Sequence, residues 1–297
     1  MSGDGLTRRD FLAAAAALPA AAAPSTFDLR PSTRSSSTFD PRPSTLPQAV
    51  CRWPYANLPL PDLCRVARAA GITGLDLLHP DEWAVARDQG LAVVTGNSTR
   101  RRSFLTDGLC DPAMQATVLR ELEAAIPLAA DAGVPQVIAL TGNRRGRSDS
   151  EGIAASAEAL RRIAPLAEER GVTVVVEMLN SLVDHPDQFA DRTALGVAIA
   201  EAVGSPRVRL LYDVYHMQVM EGNVIATLRR HLPHIAHVHT AGVPGRHELD
   251  ARQELQYPAI AAALAEAGYA GWVAHEFVPT RDALAGLREA FSTFRPA

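Results

Sequence analysis

The chain has 297 residues, of which 47% are hydrophobic and 21% are charged, and its formal net charge is −4. This length allows one large domain or two small ones, and the composition is that of a globular protein that buries a full core. A slightly acidic balance gives no general attraction to nucleic acid or to anionic lipid, so neither is predicted as a partner. The three cysteines, an odd number, exclude a complete disulfide framework and indicate buried thiols.

The N-terminal segment, residues 1–23, resembles a twin-arginine signal peptide. Paired arginines in Thr7-Arg-Arg-Asp-Phe-Leu12 directly precede an alanine-rich apolar stretch that ends near Ala23. The resemblance implies export by the twin-arginine route, a periplasmic or extracellular location, and membrane contact only during export. The alternative interpretation is an alanine-rich N-terminal helix.

Residues 24–46 are predicted to form a disordered linker rich in serine, threonine and proline. They contain a nine-residue near-duplicate, Ser25–Thr33 and Ser37–Thr45, which is too short and too rarely repeated to build a repeat fold. A segment of this composition cannot bury enough apolar surface to order itself. The folded domain is therefore expected to span residues 47–297.

Within that domain, short Val/Ile/Leu-rich runs alternate with amphipathic helical patterns. The candidate strands are roughly 48–53, 73–78, 91–95, 136–140, 172–177, 208–213, 235–240 and 272–277. The candidate helices are roughly 60–70, 81–89, 112–133, 150–170, 191–204, 222–232, 255–268 and 281–293. Eight such units in about 250 residues predict a single-domain α/β fold, the (β/α)8 TIM barrel. A doubly wound sheet is the competing architecture, but Arg52-Trp-Pro-Tyr55 after the first strand is unlike a glycine-rich phosphate loop.

Four of the predicted strands end in a metal-ligating type of side chain: Glu177, Asp213, His239 and Glu276. In a parallel barrel the C-terminal strand ends meet on one rim, where barrel enzymes keep their chemistry. Residues two apart share a face of a strand, so Val175, Leu211 and Ala274 should point into the barrel below these positions. Three carboxylates and one imidazole suit one Mn²⁺ or Mg²⁺ ion, with Co²⁺ as a further candidate, better than a structural zinc site.

Two strings near these positions carry a family resemblance: Asp213-Val-Tyr-His216-Met-Gln218 and Pro244-Gly245-Arg246-His247-Glu248. They resemble the hydroxypyruvate isomerase group of the xylose isomerase-like TIM barrel superfamily, over about residues 49–293. The resemblance implies that Glu177 and Glu276 carry protons as well as bind metal, and that His216 and Arg246 bind substrate oxygens. Histidine at position 239 is usual in the ketose epimerases, whereas glutamine often stands there in hydroxypyruvate isomerases.

Other polar residues follow strand ends on the same rim and are candidates for binding substrate. His79 follows the second strand and Asn180 follows the fifth, although Asn180 could equally cap a turn. Two arginine clusters, Arg100–Arg102 and Arg144–Arg147, follow the third and fourth strands. They would attract an anionic substrate, or they are simply solvated loop residues.

These features predict an aldose-ketose type of isomerase that converts a small hydroxy-carbonyl compound through an enediolate, with hydroxypyruvate and tartronate semialdehyde as the expected pair. Such chemistry needs a divalent metal and no redox cofactor. The nearest alternative is an epimerase of ketoses or keto-sugars, and one of a different class is a non-catalytic exported sugar-binding protein. An apurinic-site endonuclease on a similar barrel would need several metals and more histidines at strand ends 2 to 4, where the chain offers His79. The sequence leaves open whether the chain forms a homo-oligomer.

Overall fold

The computed structural model describes residues 46–294. The predicted signal peptide and residues 24–45 of the predicted linker lie outside this range, so those predictions stay predictions. Leu46, the last residue of the predicted linker, is already buried in the core. Among the described helices, none combines the length and the apolar character that crossing a membrane requires.

The described residues form nine strands that belong to a single sheet. Their bounds are Gln48–Cys51 (β1), Gly74–Asp76 (β2), Ala92–Val93 (β3), Thr95–Gly96 (β4), Gln136–Leu140 (β5), Thr173–Glu177 (β6), Val208–Asp213 (β7), Ile235–Thr240 (β8) and Trp272–His275 (β9). Neighbouring strands are parallel and follow the order β3-β2-β1-β9-β8-β7-β6-β5-β4. The two strands at the ends of this order are consecutive in the chain, and a parallel bridge joins Leu78 to Gly96. The sheet therefore closes into the predicted TIM barrel, and the doubly wound alternative is wrong.

The third predicted strand, 91–95, is in fact two short strands separated by Val94. The amide of Val94 still donates to the carbonyl of Leu75, on the β2 side, with an N to O distance of 2.9 Å. One residue later, Thr95 pairs with Gln136 of β5. The chain thus changes its hydrogen-bonding partner at Val94, and hydrophobic periodicity carries no information about such a change.

Nine α-helices surround the described part of the barrel. Their bounds are Leu60–Ala70 (α1), Trp83–Asp88 (α2), Pro112–Asp131 (α3), Asp149–Arg170 (α4), Thr193–Val203 (α5), Val214–Met220 (α6), Val224–His231 (α7), Tyr257–Glu266 (α8) and Ala283–Thr293 (α9). All but α6 correspond to predicted helices. The short helix α6 begins directly after β7, because the Asp213 side chain accepts a hydrogen bond from the Tyr215 amide and caps the first turn.

Apolar side chains fill the barrel interior, and a second, larger cluster lies between the sheet and the helices. The interior cluster contains Val175, Leu211 and Ala274, which confirms the predicted inward-facing positions. His237 is a polar residue of the interior, fully buried two residues before His239. A β-bulge between Leu210 and Leu211 shifts the register, so that His237 lies opposite Leu211 in the neighbouring strand.

Candidate active site

The four predicted metal ligands converge at the C-terminal ends of β6 to β9. Glu177 and Asp213 are the last residues of their strands, His239 is the penultimate residue of β8, and Glu276 directly follows β9. Asp213 and His239 are opposite one another in register. One ligand atom from each of the four residues lies within 4.8 Å of the others, and all four side chains are buried. The sequence therefore predicted correctly which residues meet.

The His239 imidazole uses its two nitrogens differently. Its Nδ1 faces the cluster, 3.0 Å from Glu276 Oε2 and 3.6 Å from Glu177 Oε1. Its Nε2 points away from the cluster, toward a carboxylate on β2 described below. The ring is fully buried, so neither nitrogen reaches solvent.

Within the described residues, only one of the two Asp213 oxygens accepts a hydrogen bond. Its Oδ1 accepts the Tyr215 amide at 2.8 Å, whereas its Oδ2 is 3.4 Å from His216 Nε2. The other nitrogen of His216 accepts from Asn180, at 3.2 Å from the backbone amide and 2.7 Å from the side-chain amide. His216 and Asn180 therefore form a buried support behind Asp213.

Arg246 brings a fixed positive charge to the cluster. Its Nη2 is 2.7 Å from Glu276 Oε2 and 3.6 Å from Asp213 Oδ2. The guanidinium lies between two aromatic rings, 5.0 Å from the centroid of Trp53 and 5.4 Å from that of Tyr215. Trp53 Nε1 also donates to Glu276 Oε1 at 2.6 Å. Both oxygens of Glu276 are thus held in place.

The three carboxylates of the cluster differ in their electrostatic balance. Burial and the charge of Glu276 raise the pKa of Asp213 to about 8, and burial also raises the pKa of Glu177. Burial opposes ionisation of Glu276 as well, but Arg246 and His239 hold its pKa well below its usual value. One of the three carboxylates is therefore compensated by neighbouring cations, whereas the other two lack sufficient positive charge.

The donor set fits a divalent cation. Among the described residues, Glu177 Oε1 and Asp213 Oδ2 are buried without a hydrogen-bond partner. A buried carboxylate oxygen without a partner is costly, and a cation would satisfy both oxygens at once. Carboxylate oxygens and an imidazole nitrogen are ligands that Mn²⁺ and Mg²⁺ accept.

A cavity of about 340 Å³ adjoins the cluster. Its lining consists of Trp53, Leu77, Asn97, Phe104, Leu105, Ile138, Leu140, Glu177, Leu179, His185, Arg246 and Glu276. Most of this wall is apolar, as is usual for ligand pockets. Two of the four cluster residues line the cavity, Glu177 and Glu276, and so does Arg246. Asp213 and His239 do not line it and lie behind them.

Three residues that the sequence predicted to bind substrate do not line the cavity. His216 and Asn180 lie behind Asp213, as described above. His79 caps a 3-10 turn over Pro80–Glu82, where its backbone amide donates to the Glu82 carboxylate at 2.9 Å. Arg246 is the member of the predicted set that reaches the cavity, and contact of the other three with substrate stays a prediction.

Arginines of both clusters on the rim form ion pairs with acidic residues of neighbouring segments. Arg101 pairs with Glu121 at 2.9 Å, and Arg147 pairs with Asp111 at 2.7 Å. Arg145 pairs with Asp107 and Asp111. These contacts favour a structural role over anion binding, and within the described residues no arginine of either cluster lines the cavity.

Asp76 is a buried residue of the site that the sequence analysis did not identify. Its Oδ2 accepts from Nε2 of His237 at 2.9 Å and from Nε2 of His239 at 2.7 Å. The predicted second strand ran over 73–78 and placed Asp76 in its middle, whereas β2 ends at Asp76. Asp76 thus ends its strand with a carboxylate, as Glu177 and Asp213 do, and a correct strand boundary would have revealed it.

A closed parallel barrel with buried carboxylates and a histidine at its C-terminal strand ends defines an enzyme of the TIM-barrel class. Residues 65–297 match the family model described as Xylose isomerase-like TIM barrel, and the chain belongs to that family. A 2-oxo-tetronate isomerase from Cupriavidus necator is 34% identical over 209 residues, covering 70% of this chain and 73% of the relative. The hydroxypyruvate isomerase of Escherichia coli is 29% identical over 212 residues, covering 71% and 74%.

Among solved structures, an AP endonuclease of family 2 from Brucella melitensis superposes with a TM-score of 0.76 and 25% identity, covering 84% of this chain and 100% of that one. Together, the relatives place the chain in the hydroxypyruvate isomerase-like group of its family, and the enzyme is an isomerase. The resemblance noted in the sequence is confirmed. Of the histidines that an endonuclease would need at the ends of β2, β4 and β5, the described structure offers His79, which caps a turn.

Proposed function

We propose that this isomerase depends on a divalent metal and interconverts a small α-hydroxy-carbonyl compound through an enediolate, with hydroxypyruvate and tartronate semialdehyde as the substrate pair. The observation that carries the proposal is a division within the cluster. Glu177 and Glu276 reach the cavity, whereas Asp213 and His239 are behind them and fully buried. Two residues are thus positioned to contact substrate and two to act only as ligands.

Glu177, Asp213, His239 and Glu276 would hold the metal. When bound, the cation would polarise the carbonyl and hydroxyl oxygens of the substrate and stabilise the negative charge that develops as a C–H proton is lost. Mn²⁺ and Mg²⁺ are the proposed ions, with Co²⁺ as a further candidate, because the donor set is mainly carboxylate oxygen.

The two glutamates would carry the proton. In hydroxypyruvate a proton leaves C3 and one is added to C2, while the hydroxyl proton passes from O3 to O2, which gives tartronate semialdehyde without net oxidation. Glu177 is the better base, because burial raises its pKa, whereas Arg246 and His239 hold the pKa of Glu276 well below its usual value. Glu177 would return the proton itself or pass it through Glu276, which Trp53 and Arg246 hold in a fixed position. Arg246 would also bind a substrate oxygen, since it lines the same cavity.

Epimerisation of a ketose or keto-sugar is the second candidate. It would use the same proton removal but return the proton to the opposite face of the same carbon. Two observations favour it: His239 occupies the position where the resemblance associates histidine with epimerases, and the cavity of about 340 Å³ offers more room than a three-carbon acid needs.

Export by the twin-arginine route is proposed from the N-terminal sequence alone. The pair Arg8-Arg9 would direct a folded, metal-loaded enzyme out of the cytoplasm. Replacement of both arginines by lysine should leave the protein in the cytoplasmic fraction, and unchanged export would contradict the proposal.

The test of function is solvent-deuterium exchange followed by proton NMR on Mg²⁺-loaded protein. Hydroxypyruvate, a four-carbon 2-oxo acid and a ketose are supplied in turn in D₂O. Loss of the C3 proton signals of hydroxypyruvate, with appearance of the aldehyde, supports the isomerase proposal. Exchange confined to the ketose, with a new epimer, favours the second candidate. Absence of exchange with every compound would contradict both and leave a binding protein as the alternative.

A further inference from the structure

The interior of the barrel contains a second carboxylate group that the proposed mechanism does not use. Asp76 is fully buried at the end of β2, and its Oδ2 accepts hydrogen bonds from His237 Nε2 and His239 Nε2, at 2.9 and 2.7 Å. The thiol of Cys51 also approaches this oxygen, with an Sγ to Oδ2 distance of 3.6 Å. Three donors thus converge on one oxygen beneath the proposed metal ligands.

A carboxylate buried in this way is unfavourable for folding unless it has a structural or functional role. Burial of an ionised group is costly, and an apolar side chain would fill the barrel interior at lower cost. The contact to His239 joins residues 163 positions apart in sequence, from β2 to β8. The carboxylate therefore ties one part of the barrel to the histidine that faces the cluster.

The hydrogen bond dictates which nitrogen of His239 carries the proton. An ionised carboxylate can only accept, so Nε2 must carry a proton, and Nδ1 is the nitrogen that can lose one to bind a metal. Without a metal, Nδ1 also carries a proton and donates it to Glu276 at 3.0 Å; with a metal bound, the neutral ring would direct the lone pair of Nδ1 to the side where Glu177 and Glu276 lie. This arrangement has the form of a carboxylate–histidine–metal relay, in which an outer carboxylate orients the ligating ring.

His237 holds the carboxylate in turn. Its ring lies nearly perpendicular to that of His239, with an interplanar angle of 82° and a centroid separation of 4.9 Å. Because both rings donate to the same oxygen, the Asp76 side chain cannot rotate without losing both hydrogen bonds. The β-bulge at Leu210 and Leu211 sets the register that places His237 opposite Leu211.

We propose that Asp76 is a positioning residue, which fixes the tautomer and the orientation of His239 so that Nδ1 is available to the metal, with His237 as its support. This inference rests on the proposed metal site. Asp76 does not touch substrate, because it does not line the cavity. Its loss should weaken metal binding rather than alter the proton-transfer groups directly.

The first test is a calorimetric titration of the full-length, chelator-treated protein with Mn²⁺. Asp76→Asn keeps the shape of the side chain but removes the negative charge that holds both imidazoles. Affinity for Mn²⁺ should fall about 10- to 100-fold, the usual effect of removing an outer-shell carboxylate. His237→Phe, which leaves Asp76 one of its two imidazole donors, should produce a smaller loss.

Asp111→Asn is the matched control, because Asp111 is also buried but pairs with Arg145 and Arg147 away from the cluster. This variant should keep the wild-type affinity. Equal affinity of wild type and a folded Asp76→Asn variant would overturn the positioning role while leaving the metal site intact. A wild-type protein that takes up no Mn²⁺ would overturn the metal proposal and this inference together.

A second measurement needs no variant and so does not depend on Asp76→Asn folding. Long-range ¹H–¹⁵N NMR correlations of the wild-type histidines, recorded with Mg²⁺ bound, report which ring nitrogen carries the proton. His239 is expected to show a protonated Nε2 and a proton-free Nδ1. A protonated Nδ1 with a proton-free Nε2 would overturn the proposal.

Discussion

The two halves of the barrel contribute different things to the site. Strands β6 to β9 supply all four residues of the charged cluster, and Arg246 follows β8. Strands β1 to β5 and their loops supply mostly apolar wall, including Leu77, Ile138, Leu140 and Phe104. The comparison indicates that the later half carries the reactive groups, whereas the earlier half shapes the space beside them.

Charged residues are present in the earlier half as well, but they are used differently. Arg101 pairs with Glu121 of α3 at 2.9 Å, and Arg147 pairs with Asp111, the residue before α3, at 2.7 Å. Arg246 instead faces the carboxylates of the cluster and the cavity. Asp76 is the exception in the earlier half, since it reaches across the barrel to His239. What an arginine or a carboxylate can do is therefore decided by its partner and not by its place on the rim.

The largest effect is expected from Glu177→Gln in the later half. Removal of the base should lower the rate of α-proton exchange about 100- to 10,000-fold, while the circular dichroism spectrum stays that of the folded barrel. The matched control is Glu121→Gln in the earlier half, because Glu121 is a partly buried glutamate that pairs with Arg101. Equal exchange rates for the two variants would contradict the claim that the later half of the barrel carries the reactive groups.

A smaller loss is expected from Arg246→Met, which keeps much of the length of the side chain but removes its charge. Hydrogen bonds to charged groups contribute about 1.5 to 3 kcal/mol, so kcat/KM should fall about 10- to 100-fold. A rise in KM is expected to account for part of this change, since Arg246 lines the cavity. Steady-state kinetics over a range of substrate concentrations separate the two constants, and an unchanged kcat/KM would remove Arg246 from the site.

The pH dependence of stability should reveal the uncompensated carboxylates. Burial and Glu276 raise the pKa of Asp213 to about 8, far above its value in the unfolded chain. The folded, metal-free protein therefore binds more protons than the unfolded one, and its stability falls as pH rises. Between pH 7 and 8.5, Asp213 should account for a loss of about 1 kcal/mol.

Urea unfolding of chelator-treated protein measures this loss. Asp213→Asn, which cannot ionise at this position, is the control and should show a weaker dependence on pH. Addition of Mg²⁺ should stabilise the wild type more at pH 8.5 than at pH 7. A metal-free protein that becomes more stable over this interval would contradict the electrostatic account.

The smallest effect is expected from Arg145→Gln in the earlier half. Arg145 is about 40% exposed and pairs with Asp107 and Asp111. Exposed ion pairs contribute at most about 1 kcal/mol, so thermal unfolding should shift only slightly and the exchange rate should not change. A rise in KM for an anionic substrate would instead show that the arginine cluster binds it.

The barrel and the four cluster residues were predictable because they depend on local sequence patterns. Alternating strand and helix periodicity marks the units, and a polar residue that ends an apolar run marks the rim. The partner change at Val94 and the ion pairs of Arg145 depend on contacts between segments far apart in the chain. Asp76 was missed because the second strand was predicted to be two residues too long.

The position of His216 shows a similar limit. Its contact with substrate stays a prediction, and the cap that Asp213 forms on α6 begins a helix at once. The first turn of this helix brings the ring behind Asp213 and against Asn180. A residue that follows a strand end therefore reaches the cavity or supports it according to the local turn, which the strand pattern does not specify.

The central claim is that one metal at the ends of β6 to β9 enables proton exchange by Glu177 and Glu276. The most direct measurement is solvent-deuterium exchange with hydroxypyruvate, followed by NMR on wild-type protein before chelation, after chelation, and after stepwise return of Mg²⁺. Exchange should disappear on chelation and return in proportion to bound Mg²⁺ until one ion is bound per chain. Exchange that persists in fully chelated protein, or that requires more than one ion per chain, would contradict the claim.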